Sequence, residues 1–100
     1  MNINKIEIFN NNLSLVILPK EEKVLVGKIS RSISVEEIEE FLDIIMYWDH
    51  NYYSNRGLDG VRFDIKIYYE DKIDEYKGVR SLPNNYKEFD TFVRKLYYGR

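Results

Sequence analysis

A chain of 100 residues with no cysteine and a formal net charge of −2 is long enough for one small core, and it has neither disulfides nor thiolate metal ligands to staple it. Its near-balanced charge argues against nucleic acid as the default partner. The longest apolar run, LSLVILP at 13–19, is far too short to cross a bilayer, and the opening MNINKIEIF carries an acid in an alternating pattern unlike a signal peptide, so the expected compartment is cytoplasmic.

In chain order, the first third reads as strands. Ile6, Ile8 and Phe9 belong to the first, and Asn10-Asn11-Asn12 to a turn, because asparagine tolerates left-handed backbone geometry. Leu13 to Leu18 is a nearly continuous apolar run stopped by Pro19, as in a strand at a sheet centre. Lys20 to Lys23 is a charged turn, and Val24 to Ile29 completes a three-stranded meander.

Ser34-Val35-Glu36-Glu37 matches a capping box, with Ile33 and Ile38 placed as a hydrophobic staple. A helix is therefore predicted from Val35. Ile38, Phe41, Leu42, Ile45 and Trp48 or Asp49 recur at helical spacing, and the helix is expected to decay around His50 to Tyr53. Residues 54–57 read as loop, and Asp59-Gly60 as a turn. In Val61 to Tyr69 the alternation is strict, with Val61, Phe63, Ile65, Ile67 and Tyr69 on one side and Arg62, Asp64 and Lys66 on the other.

Glu70 to Asp74 is a polar turn. Glu75 to Arg80 is a weaker strand expected at an edge, where strand pairing offers a route to a homodimer. Asn85 is placed to cap a final helix, with Glu88 at the reciprocal position and Tyr86, Phe89, Val93, Leu96 and Tyr97 as its apolar stripe. The predicted architecture is a single α+β domain over residues 1–100. It is a two-layer sandwich in the order β-β-β-α-β-β-α, with a mainly antiparallel five-stranded sheet and two helices on one face.

Charge is distributed unevenly along this plan. Between Arg31 and Arg56 stand Glu36, Glu37, Glu39, Glu40, Asp43 and Asp49, with no Lys or Arg among them. The absence of alanine and the abundance of Ile, Asn, Lys and Tyr point to A/T-rich coding, as in low-GC bacteria or their phages.

Catalytic motifs are missing. There is no cysteine, a single histidine, no G-x-S-x-G elbow and no Walker loop. His50 has no second histidine to share a zinc ion and reads as a partly exposed helix-end residue. Asp64-Ile65-Lys66, with Asp49 or Asp59 upstream, has the makings of a metal-dependent nuclease site, but acid-x-lysine on the solvent side of a strand is more often a surface ion pair. The expectation is therefore no enzyme, no catalytic residues, no metal and no cofactor. Arg62, Lys66, Arg80, Arg94, Lys95 and Arg100, with Tyr68 and Tyr76 to stack on bases, outline a basic face for RNA or DNA. Net charge and the lack of an RNA-binding motif count against it.

Protein recognition remains. YWDHNYY, residues 47–53, holds the only tryptophan and only histidine beside three tyrosines. Such aromatics beside carboxylates are interface material, because they bring large contact area at small entropic cost. The ordinary alternative is that they close one end of the core. The candidate partner-binding residues are Glu36, Glu39, Glu40, Asp43, Tyr47, His50, Tyr52 and Tyr53, the acids steering a basic protein partner and the rings supplying contact.

Leu58-Asp59-Gly60-Val61-Arg62-Phe63 opens the alternating strand, and Pro83-Asn84-Asn85-Tyr86-Lys87-Glu88-Phe89 opens the closing helix. This pattern over residues 58–93 resembles small single-domain proteins that include immunity proteins of bacterial toxin systems. There, a DG-plus-aromatic strand is followed by a P-x-N-aromatic helix start. The resemblance implies an acidic, non-enzymatic protein that occludes the active site of a toxin or nuclease, and it carries over no individual binding residue. A phage-encoded inhibitor of a host defence nuclease, of the anti-CRISPR kind, makes nearly the same physical prediction.

Overall fold

The computed structural model describes residues 2–55 and 61–99. The expected Asp59-Gly60 turn, Arg56-Gly57 and Arg100 lie outside the described residues, as does Leu58 of the toxin-immunity resemblance. Seven strands are described: β1 (Ile3–Asn10), β2 (Leu13–Leu18), β3 (Lys23–Val26), β4 (Ile29–Ser32), β5 (Asn51–Tyr53), β6 (Arg62–Tyr69) and β7 (Ile73–Val79). They form one sheet in the order β4-β3-β2-β1-β6-β7-β5. Helices α1 (Val35–Ile45) and α2 (Tyr86–Tyr98) cover one of its faces.

Alternation decides which face is covered. In the long central strands Ile6, Ile8, Leu15, Ile17, Phe63, Ile65 and Ile67 point to one side. There they meet Ile38, Phe41 and Ile45 of α1 and Phe89, Phe92, Val93 and Leu96 of α2 in a single core. The registers Ile6↔Ile17 and Ile6↔Ile67 put like against like across three strands. A slip of one residue would send the whole set to solvent. The α+β class and the helix pair agree with the sequence reading, whereas the sheet differs from it in three places.

First, Val24 to Ile29 is a hairpin and not one strand. Val26 pairs with Ile29 across a two-residue turn in which Gly27 has φ +59. A positive φ at the first loop position suits the twist of a tight hairpin, and glycine adopts it without strain. The added strand β4 carries Arg31, whose guanidinium donates to the carbonyls of Leu96 and Tyr97 at 2.9 and 2.8 Å. Those carbonyls end α2 and have no partner within the helix, so a cation there both satisfies them and meets the negative end of the helix dipole.

Second, the chain leaves α1 at Ile45 and returns as β5, which runs parallel to β7 with Tyr52 opposite Gly78. Residues 75–80 are therefore not the terminal strand. The edge expected there for a homodimer is occupied at Lys77–Val79 by β5. Third, Asn10 is the last residue of β1, not a turn residue. Its side chain is 1% exposed, donates to Asp90 and accepts from the Tyr86 hydroxyl. Asn11 takes the left-handed conformation in its place, at φ 56.

Candidate functional site

The N-terminus of α1 forms as the capping box requires. The Glu37 amide donates to Ser34 Oγ at 3.1 Å, while the Ser34 amide donates to Glu37 Oε1 at 3.1 Å. Ile33 and Ile38 are both buried beneath it. With the apolar stripe fixed inward, Glu36, Glu39, Glu40 and Asp43 are driven to the outer face, where all four are exposed. Each has only carboxylates as its neighbours among these four at three and four residues' spacing, and none is in an ion pair among the described residues. Like charges so spaced oppose the helix.

The acids form one wall of a groove of about 1030 Å³ between the helices. Ile44 and Phe92 contribute to its lining, and Lys87, Glu88, Thr91 and Lys95 of α2 stand on the far side.

Segment 46–53 follows directly. Helical spacing was a poor guide to its backbone, since Met46 ends the helix and Tyr52 and Tyr53 are in a strand. The helical ladder has already tightened at Met46, whose amide donates to the Asp43 carbonyl at 3.4 Å, and α2 holds the chain that follows. Asn85 Nδ2 donates to the Ile44 carbonyl at 2.7 Å, the acceptor that the Trp48 amide would use in a continued helix, and the Trp48 amide turns to Ile45 instead. Asn85 Oδ1 also accepts from Trp48 Nε1 at 2.6 Å. Asn85 sits at the N-cap position as expected, but makes no side-chain cap bond to α2. Its amide is committed to the end of the other helix.

Trp48 is 8% exposed and meets Phe63 and Phe89 edge-on, each at 5.3 Å between ring centres. Tyr52 is half-buried against Trp48, and its hydroxyl accepts from the Asp49 amide at 2.9 Å. His50 is exposed and stacks on Tyr76 at 4.7 Å with the planes 12° apart. Around this base Tyr47 is 91%, Tyr53 73% and Met46 56% exposed. YWDHNYY thus divides: Trp48 and part of Tyr52 close the core, while Tyr47, His50 and Tyr53 face outward. Of the sequence-derived candidates, the acids lie on α1, Tyr47 and His50 in the connection, and Tyr52 and Tyr53 on β5. Met46 and Asn85 were not among them. The signal for Asn85 was chemical, since a core tryptophan needs an acceptor for its N–H.

The free face of the sheet is also charged. Lys5, Glu7, Asp64, Lys66, Tyr68, Glu75 and Lys77 share it across β1, β6 and β7, beside a concavity of about 600 Å³ whose lining includes Phe9, Val16, Leu25 and Arg62. Here opposite charges adjoin. Lys5 meets Glu7 at 3.6 Å, and Glu75 accepts Lys77 at 3.6 Å and Lys66 at 4.0 Å. Tyr68 donates to Glu7, and this hydrogen bond, ahead of the nearby lysines, lowers the Glu7 pKa and raises that of Tyr68. Burial, and then the Glu75 carboxyl, push the Asp64 pKa up; its Oδ1 is buried without a hydrogen-bond partner among the described residues.

Asp64 and Lys66 share a face as the nuclease reading requires; of the two upstream acids, Asp49 is exposed in the connection after α1 and Asp59 lies outside the described residues. Among the described residues no three His, Asp or Glu side chains are grouped to hold a metal ion. Among the described residues the basic set outlined for nucleic acid is spread over both layers, and Arg100 lies outside them. Arg62 and Lys66 are on the sheet, Arg94 is on α2 and pairs with Asp90 at 3.0 Å, and Tyr68 and Tyr76 point to opposite faces of the sheet. No helix among the described residues is long and apolar enough to cross a membrane. Compared with family models, curated proteins and solved structures, the chain matches none.

Proposed function

We propose that the protein is a non-enzymatic inhibitor that binds a basic protein through α1 and segment 46–53. Immunity to a bacterial toxin or nuclease is the first form of this reading, and a phage-encoded block on a host defence nuclease is the second. One observation carries it. Four exposed carboxylates of one helix have only like-charged neighbours within their own set and no cationic partner among the described residues. Such an arrangement costs the helix stability, and it gives a long-range field that speeds encounter with a positive surface. The exposed Tyr47, His50 and Tyr53 adjoin it in sequence and supply contact area.

Capture from a cell extract tests the reading, using wild-type bait and a bait with Glu36, Glu39, Glu40 and Asp43 all changed to Gln, each with and without nuclease digestion. A stoichiometric protein that survives digestion and is lost from the neutralised bait supports the proposal. Retention of nucleic acid, or of proteins that vanish on digestion, moves the function to a different class. A protein held equally by both baits removes the acids from it.

A further inference from the structure

Asn85 does an unusual thing for a residue at a helix start. Its side chain makes no cap bond to α2, although asparagine is among the best capping residues. Both ends of its amide reach across to the chain leaving α1, at 2.6 Å to Trp48 Nε1 and 2.7 Å to the Ile44 carbonyl. The orientation of the amide is fixed by chemistry. The indole N–H can only donate and the backbone carbonyl can only accept, so Oδ1 faces the first and Nδ2 the second. No other side chain of this size offers one acceptor and one donor at these two points. Aspartate would set a carboxylate oxygen against the Ile44 carbonyl, and serine is too short to span both.

The bond to Ile44 removes the carbonyl that would continue α1. The bond to Trp48 holds the ring that Phe63, Phe89 and Tyr52 surround. Tyr52 in turn accepts from the Asp49 amide. The exposed Tyr47, His50 and Tyr53 project from a short segment held at one end by Asn85 of α2 and at the other by β7, where the Lys77 amide donates to the His50 carbonyl at 2.9 Å and β5 pairs with Lys77–Val79. We infer that Asn85 is the positioning residue of the docking segment: it holds the chain leaving α1, pins Trp48 and so sets the presentation of Tyr47, His50 and Tyr53, an assignment that rests on the docking role of this segment.

The test separates positioning from helix capping. Asn85→Ser retains a good capping residue, so a purely structural role in α2 would survive it. Tryptophan occurs once, so a single indole N–H cross-peak reports Trp48. In the serine variant that peak should move and its hydrogen exchange should accelerate about tenfold or more, as follows when a buried donor loses its acceptor. Exchange at residues 46–53 should rise with it, while Phe92 to Leu96 in α2 keep their protection. An unchanged indole peak with unchanged protection at 46–53 would overturn the assignment, and so would a loss of protection spread evenly over α2 and the sheet. If the serine variant does not fold, Trp48→Phe breaks the same bond from the other end, and unchanged protection of the 46–53 amides, or a loss spread evenly over α2 and the sheet, would overturn the assignment. Capture by Asn85→Ser of the partner found with the wild-type bait keeps the two ideas apart. Undiminished capture by a loosened segment would leave Asn85 as its anchor and remove the aromatics from the docking role.

Discussion

The outer face of α1 carries Glu36, Glu39, Glu40 and Asp43, and the open face of the sheet carries Lys5, Glu7, Asp64, Lys66, Glu75 and Lys77, arranged in opposite ways. On the sheet the registers Glu7↔Lys66 and Lys66↔Glu75 alternate sign across neighbouring strands, and the ion pairs close within the face. On α1 the four acids repeat one sign along a single element, and none of them is in an ion pair among the described residues, Lys87 and Lys95 standing across the groove. The first arrangement satisfies itself and has little field left over. The second loses stability and projects a field outward. A charged surface on a small protein therefore points to a partner when its charges are of one sign and unpaired, and mainly to solubility when they are mixed.

The comparison is sharpened first by separating each charged face from the core beneath it. Phe63→Ala, on the covered side of β6, should cost about 3–5 kcal/mol, while Lys66→Ala three residues on, on the open side, should stay within about 0.5 kcal/mol. Gly78→Ala belongs with the first, since a Cβ there would lie 2.3 Å from the Phe63 ring and 2.8 Å from the Ser81 carbonyl. Urea denaturation with an unchanged slope measures all three.

Next in size is the polar exception on the covered face. Asn10→Ala leaves Asp90 and Tyr86 without their shared partner and should cost about 1–3 kcal/mol in the same assay. Smaller, and opposite in sign, is the effect of neutralising α1. Glu39→Gln with Glu40→Gln removes five like-charged contacts at i,i+3 and i,i+4 and should stabilise the protein by about 0.5–1 kcal/mol at low salt, fading as salt is added. A loss of stability would mean that the acids have partners within the fold, and the contrast between the two faces would collapse.

The smallest effect is a pH dependence on the open face. Asp64 has its pKa raised, by burial and then by Glu75. Relative to the unfolded chain it holds its proton to higher pH. Its contribution is therefore fully present below the unfolded value of 3.8 and is lost as pH rises through the folded pKa. Glu7 runs the other way. Its pKa is lowered, so its contribution is present above the unfolded value of 4.5 and is lost as pH falls through the folded one. Asp64→Asn should leave the protein equally or slightly more stable at pH 7 and remove the decline with rising pH that begins near 3.8. Denaturation midpoints of both proteins between pH 3 and 7 give the comparison.

Much of the fold was legible because it rests on local rules. The Ser34–Glu37 capping box, the alternation in residues 61–69 and the apolar stripe of α2 each follow from residues close in sequence. What was not legible depended on residues far apart. The helical period through Trp48 gave no sign of Asn85, 37 positions on, which takes the Ile44 carbonyl and holds the chain leaving α1. Gly27 carried the signal for the extra hairpin, but one glycine in an apolar run reads equally well as a bulge. Asn10, among three asparagines, looked like a turn residue because its partners, Tyr86 and Asp90, lie 76 and 80 positions away. The acids of the candidate site were legible as an exposed helix face. Which aromatics of 47–53 are free was settled only by Trp48 entering the core.

The most direct measurement of the central claim is the rate of association with the protein partner retained by the wild-type bait, for two charge-reversed proteins, Glu39→Lys with Glu40→Lys on α1 and Lys66→Glu with Lys77→Glu on the sheet. If α1 is the docking face, the first variant should associate about tenfold or more slowly at low ionic strength, with a smaller change in dissociation, and the second should match the wild type. Slowed association in the sheet variant alone, with α1 reversal silent, would contradict the account and move the binding surface to the open face.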